Sequence, residues 1–311
     1  MKKIIMLLLL VALFTDFLIA GSLEDDLKNF ANESAKGYVK PLSYALNSGL
    51  DAGIFHSANA LKPFRFSVFV NTSLILIPQK DRTFIAHRPE VTAMDKPVYE
   101  PETVETATIF GDKGSSFNVS ADFMNASNVD NINLPDGINI GVMPFLSPQV
   151  NMGLPFHSEI GIRYFPLSVI DKEKFAKSYF LGLGLKNKLN LPLPVNISLF
   201  GYYQAVNIES IVNVNNLSVG VLVGKKLLSF DFYGSLFYSS GDMKVDYETT
   251  TVEYQPPNFV EVPIKINLDL KNSTLKPKFG LTYSFFLFKV NFEACYSRYP
   301  SYNLGLGVSL P

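Results

Sequence analysis

The sequence predicts an all-β protein: a closed antiparallel transmembrane β-barrel of about 12 to 14 strands, with a short N-terminal helix and a plug-like segment before the first strand. Three observations predict it. The chain opens with an export signal, most of the remaining chain alternates apolar and polar residues with period two, and several alternating runs are longer than soluble strands usually are.

Lys2 and Lys3, the apolar run from Ile4 to Phe14, and the small residues Ala20 and Ser22 form the three parts of a secretory signal, so residues 1–22 are expected to be removed. Asp16 interrupts the run before it reaches the roughly 20 apolar residues of a spanning helix. Ser22 stands where a lipoprotein would need cysteine. Residues 23–36 read as the helix: Ser22 and Asp25 resemble a capping box, Leu23, Leu27, Phe30 and Ala31 form a stripe, and Gly37 stands at the C-cap position. Residues 38–63 carry Gly, Asn, Ser and Pro at short intervals between aromatics and read as an irregular plug, so 23–63 forms one N-terminal unit ahead of the barrel at 64–311.

From Phe64 the period is two. Phe64, Phe66, Val68, Val70, Leu74 and Leu76 share one face, with Arg65, Ser67, Asn71 and Ser73 on the other. Segments at 154–164, 195–205, 217–223, 228–238, 260–270, 279–287, 290–296 and 302–310 repeat the pattern, with weaker ones near 117–123, 138–145, 179–185 and 243–253. The polar faces are rich in glycine, as at Gly182, Gly184, Gly305 and Gly307, which leaves room inside a barrel. With 26 Phe, 15 Tyr and no Trp, an interfacial aromatic girdle must be built from Tyr and Phe, and Tyr296, Tyr299 and Tyr302 are its first candidates. Two features run against a barrel: the chain closes on Pro311 rather than an aromatic residue, and loops after residue 223 are short, which blurs the alternation of short turns and long loops. Residues 79–136, with Pro89, Pro97 and Pro101, form a long irregular insertion.

Charge and motifs exclude more than they assign. Lys and Arg number 27 against 28 Asp and Glu, without the basic excess that nucleic-acid binding requires. Cys295 is the single cysteine, so no disulfide or CxxC site exists, and inert packing is expected of it. His56, His87 and His157 are isolated from one another, and no HExxH, GxSxG or phosphate loop is present, so neither a cofactor nor a metal site nor an enzyme is expected. His157 and Ser158 would point to opposite faces of one strand, and His56 and Ser57 fall in the plug. The candidate plug and lumen contacts are Asn47, Ser48, Gly49, Phe55, His56 and Ser57 on the segment, with Glu159 and Arg163 on the polar face of a strand.

The runs Gly37-Tyr38-Val39-Lys40-Pro41-Leu42, Leu46-Asn47-Ser48-Gly49 and Ile54-Phe55-His56-Ser57-Ala58 resemble the N-terminal signature of a family of uncharacterised bacterial proteins. Ile109-Phe110-Gly111 and Leu181-Gly182-Leu183-Gly184-Leu185-Lys186 resemble its later blocks. The resemblance implies an outer-membrane barrel and carries over no catalytic residue. A more distant likeness is to the long-chain fatty acid transporter family, whose barrels also place a plug before the first strand. The partners expected are the outer-membrane bilayer and a small, hydrophobic ligand, carried by a plugged channel or binder; oligomeric state is left open. An exported soluble β-sandwich or lipid-binding protein is the alternative, and a barrel-embedded hydrolase the third reading.

Overall fold

The computed structural model describes residues 32–89, 91–124, 131–169, 175–209, 211–255 and 258–310, with side chains described outside 32–33 and 247–266. Among the described residues one α-helix, α1 (Asn32–Asp51), precedes β1 (Phe66–Leu76). Seven short strands come next: β2 (Thr83–His87), β3 (Thr92–Ala93), β4 (Lys96–Pro97), β5 (Tyr99–Glu100), β6 (Thr103–Ala107), β7 (Ser116–Val119) and β8 (Ile132–Asn133). The rest is β9 (Val142–Leu154), β10 (Ser158–Pro166), β11 (Tyr179–Leu189), β12 (Asn196–Ile208), β13 (Val212–Leu227), β14 (Phe230–Gln255), β15 (Asn258–Phe285), β16 (Phe288–Cys295) and β17 (Ser301–Leu310).

Strands β1 and β9–β17 close into an antiparallel barrel of ten strands, with β1 paired on one side to β9 and on the other to β17. Closure leaves no free sheet edge and overturns the soluble-sandwich alternative. The count is ten rather than 12 to 14 for identifiable reasons. The alternating segments at 228–238 and 243–253 are one continuous strand, β14, and those at 260–270 and 279–287 are one strand, β15. The segment near 117 lies outside the barrel, in β7. The run 154–164 is interrupted by a turn, so His157, with φ 58°, sits on that turn instead of a strand face.

Burial runs opposite to that of a soluble barrel. Inward positions carry Asn71, Gln149, Glu159, Arg163, Lys186, Gln204, Asn216, Lys276, Lys278, Asn291 and Glu293, all buried. Outward positions carry Val70, Leu183, Leu199, Val219, Phe232, Leu236, Phe279, Phe292 and Leu306, all exposed. A wall with its polar face sealed inward and its apolar face outward can satisfy its groups only in lipid. Along β14 the outward residues are Phe230, Phe232, Leu236 and Tyr238, and beyond them Ser240, Asp242, Lys244 and Asp246. This apolar stretch matches the roughly 9 to 11 residues of a tilted membrane strand.

The two ends differ. At the turn end, 155–157, 190–195, 228–229 and 286–287 join strands, and β17 finishes there opposite the start of β1. At the loop end lie the described parts of 77–141 and 167–178 and the protruding outer half of the β14–β15 hairpin. Long excursions are therefore confined to one end, although the β12–β13 and β16–β17 connections there are also short; after residue 223 the long excursion is made of strand. Tyr164, Tyr179, Tyr203, Tyr238, Tyr296 and Tyr302 face outward and exposed near the loop end, whereas Phe64, Phe156, Phe285, Phe286 and Phe288 do so at the turn end. Tyr299, expected in this girdle, is instead fully buried beside Tyr44.

Helix α1 runs inside the barrel and includes residues 32–36 of the expected helix, but extends beyond its expected end. Most of the expected helix lies outside the described residues, as does the export signal, and the described helix continues through Gly37 to Asp51. Gly37 serves close approach rather than capping, since a Cβ there would lie 2.3 Å from the Phe84 ring. The helix ends where Gly53 takes the left-handed φ of 63°. Its first turns pack on the 77–141 region, where Tyr38, Val39, Phe110, Phe117, Val98 and Leu134 share one apolar core; this region forms a cap over the loop end. From Ala52 the chain continues down the lumen and leaves at the turn end, where the Phe64 N–H donates to the Gly153 carbonyl. An interior formed by about eight strands is filled by side chains alone, so a wider ring has room for such a segment.

Candidate functional site

The contact between the lumen segment and the barrel wall is built from charged and polar groups removed from water. Asp51, at the end of α1, accepts from Lys276 Nζ at 2.6 Å and from Asn216 Nδ2 at 2.7 Å, with Ser218 also donating to it. The carbonyls that the helix leaves open are bonded by the wall. Arg163 donates to Leu50 O at 2.8 Å and Ala52 O at 2.7 Å, Gln204 to Leu50 O at 2.7 Å, and Lys278 to Asp51 O at 2.8 Å. Cations at a helix C-terminus meet the negative end of its dipole, and the wall supplies three there: Arg163, Lys276 and Lys278.

Further down, Gly53 N–H donates to Glu293 Oε1 at 2.8 Å, and the same carboxylate pairs with Lys278 at 3.2 Å. His56 Nε2 lies 2.8 Å from Asn71 Oδ1, and its ring stacks on Phe69 at 3.9 Å. Ser57 Oγ donates to Asp231 Oδ2 at 2.6 Å. Lys186 donates to the carbonyls of Ser57 and Asn59 and pairs with Glu159 at 3.1 Å, while Glu159 also accepts the Leu61 N–H.

All eight residues singled out from the sequence lie at this contact. Asn47 meets Asn216 and Lys276, and Ser48 meets Ser297 at 3.3 Å. Gly49 lies under the Phe145 ring, where a Cβ would come within 2.8 Å. Phe55 sits edge-on to Phe200 and Tyr202 beneath the Lys186 ammonium. Glu159 and Arg163 share a strand face without pairing with each other: one takes Lys186, the other the helix carbonyls. Asp51, Lys186, Asp231, Lys276 and Lys278 were missed. Lys276 and Lys278 stand two apart on a strand, which places both on one face; that both face inward follows only once the apolar Leu275 and Phe279 are assigned to lipid.

Several inward glycines seat large aromatic rings. A Cβ on Gly184 would lie 1.9 Å from Tyr202, and one on Gly280 would lie 2.1 Å from Tyr233. Tyr233 in turn donates to Glu293 Oε2 at 3.1 Å.

Two cavities flank the segment. At the turn end a vestibule of about 720 Å³ has His56, Ser57, Leu61 and Lys62 as its floor and Lys186, Lys226, Asp231 and Lys289 among its walls. At the loop end a crevice of about 350 Å³ lies between Tyr44, Asn47 and Ser48 of α1 and the Ser297–Tyr299 turn. There Arg298 pairs with Asp81 of the cap at 2.8 Å and stacks over the Tyr44 ring. Cys295 is buried.

Among solved structures, the translocator domain of the autotransporter NalP from Neisseria meningitidis is 10% identical over 90% of this chain and 98% of its own, with a TM-score of 0.27. Ail, the attachment invasion locus protein of Yersinia pestis, is 8% identical over 79% and 98%, at 0.26. The N-terminal β-barrel domain of Pseudomonas aeruginosa OprF is 13% identical over 49% and 93%, at 0.23. A search of curated proteins gives no match. The family of unknown function DUF6588 matches residues 1–310, and the chain belongs to it.

Proposed function

We propose that this chain is an outer-membrane β-barrel whose lumen is closed by its own N-terminal segment, acting as a plugged channel or binder for a small molecule. The observation that carries the reading is the anchoring of that segment: the end of α1 is held by Arg163, Lys276 and Lys278, all on the inner wall and all buried. A buried charge is stable only while paired, so a segment held this way is either fully docked or displaced as a unit. The loop end is covered by the cap and the turn end opens into the vestibule, so a small solute has access from the turn end. In barrels of this architecture short turns face the periplasm, which gives the vestibule a periplasmic mouth. A hydrophobic ligand was the expectation from sequence; the vestibule, with Lys62, Arg65, Lys186, Lys226 and Lys289 in its lining, favours a polar one. We read the protein as non-enzymatic, because His56 and Ser57 are bonded to Asn71 and Asp231 respectively and not to each other.

Planar-bilayer recording tests the reading. The full chain should remain silent, and removal of residues 32–63, or the paired change Asp51→Asn with Lys276→Gln, should give discrete conducting steps. Steady conductance of the full chain at the level of the deletion variant would refute it.

A further inference from the structure

The vestibule holds more positive charge than its walls neutralise. Lys62, Arg65, Lys225, Lys226 and Lys289 all line it, and among the described residues none has a carboxylate within ion-pair distance. Its two acids are engaged elsewhere, Glu159 with Lys186 and Asp231 with the Ser57 hydroxyl. Lys289 feels the carboxylates of Glu159 and Asp231 as well as the ammonium groups of Lys226 and Lys186, and forms an ion pair with neither carboxylate. Like charges gathered in a recess with low-dielectric walls focus a field that draws in an anion.

A second, independent observation concerns Asp231. It is only 7% exposed, and its Oδ1 is buried without a donor. It stands directly opposite Lys226 in the β13–β14 ladder, yet the two do not form an ion pair. An acceptor lacking a donor, next to cations lacking an anion, calls for a ligand that carries both.

We propose that the vestibule is a binding site for a hydroxyl-bearing organic anion, a phosphorylated or carboxylated polyol. Its oxyanion sits between Lys226 and Lys289, and one of its hydroxyls donates to Asp231 Oδ1. The inference rests on the closed-lumen reading, because Ser57, Leu61 and Lys62 of the segment form the vestibule floor.

Calorimetric titration of the full chain in non-ionic detergent tests it, with glucose 6-phosphate, inorganic phosphate and glucose as probes. Glucose 6-phosphate should bind saturably and in a salt-sensitive way, and glucose should not. Lys226→Gln and Lys289→Gln should each weaken binding about tenfold, equivalent to about 1.4 kcal/mol, while each variant keeps its heat-modifiable mobility as a check on folding. Asp231→Asn should remove the preference for glucose 6-phosphate over inorganic phosphate. Equal binding of glucose, or binding unchanged in both lysine variants, would overturn the proposal, and an intact preference in Asp231→Asn would overturn the role of that carboxylate. Displacement of glucose 6-phosphate by phosphatidylglycerol in mixed micelles assigns the anion site to lipid headgroups, and its absence assigns it to a soluble solute. Conductance of the same preparation keeps the two readings apart: a silent barrel without anion binding breaks only this inference, whereas an open barrel breaks the closed-lumen reading.

Discussion

The loop end and the turn end of this barrel hold the same N-terminal segment by different means. At the loop end the cap and α1 share an apolar core around Tyr38, Val39, Phe110 and Phe117, as in a soluble domain. Towards the turn end the segment is held by Asp51, Gly53, Ser57 and Leu61 through ion pairs and hydrogen bonds to the wall, and a cavity of about 720 Å³ is left open. The difference teaches that one chain solves two solvation problems. Where protein covers protein, apolar packing suffices; where the wall must be apolar outside, its inner face is polar and the segment must match it group for group.

The sharpest way to break this comparison is to ask which side of the membrane each end occupies. Lys36 and Met94 are exposed at the loop end and Leu228 at a turn tip. In a Cys295→Ser background, Lys36→Cys and Met94→Cys should react with a membrane-impermeant maleimide in intact cells, and Leu228→Cys only after permeabilisation. The reverse pattern would invert the barrel. Stability should also divide between the ends. Lys276→Gln leaves Asp51 buried without its cation, and a loss of about 3 to 5 kcal/mol is expected, read as a lower temperature for loss of the heat-modifiable gel form. The Arg298–Asp81 pair is partly exposed, so Arg298→Ala should have an intermediate effect of about 1 kcal/mol or less, weakened further by salt. Lys226→Gln, which breaks no ion pair, should change that temperature little, by less than about 0.5 kcal/mol.

How far the sequence reaches can be judged from particular elements. Period-two alternation was enough for the barrel, because Val70, Leu183 and Phe232 must face lipid while Asn71, Gly182 and Asp231 cannot. It could not count the strands, since β14 and β15 carry one alternation from the membrane into water without a turn to mark the passage. The helix was ended too early because Gly37 and Pro41 read as breakers, whereas Gly37 admits the Phe84 ring and the buried helix tolerates Pro41. Asn47, Ser48, Phe55 and His56 were legible as a group because polar and aromatic residues in an otherwise irregular stretch need partners. Lys276, Lys278 and Asp231, which meet Asn47, Asp51 and Ser57, were not, because strand register alone brings them across more than 150 residues of sequence.

The central claim is that α1 lies inside the barrel in one fixed register. Ser48 Oγ and Ser297 Oγ are 3.3 Å apart, joining the helix to the β16–β17 turn. With Cys295 replaced by Ser, the pair Ser48→Cys and Ser297→Cys should cross-link under mild oxidation in native membranes, seen as a mobility shift reversed by reductant. Failure to cross-link in a barrel that still shows heat-modifiable mobility would contradict the account.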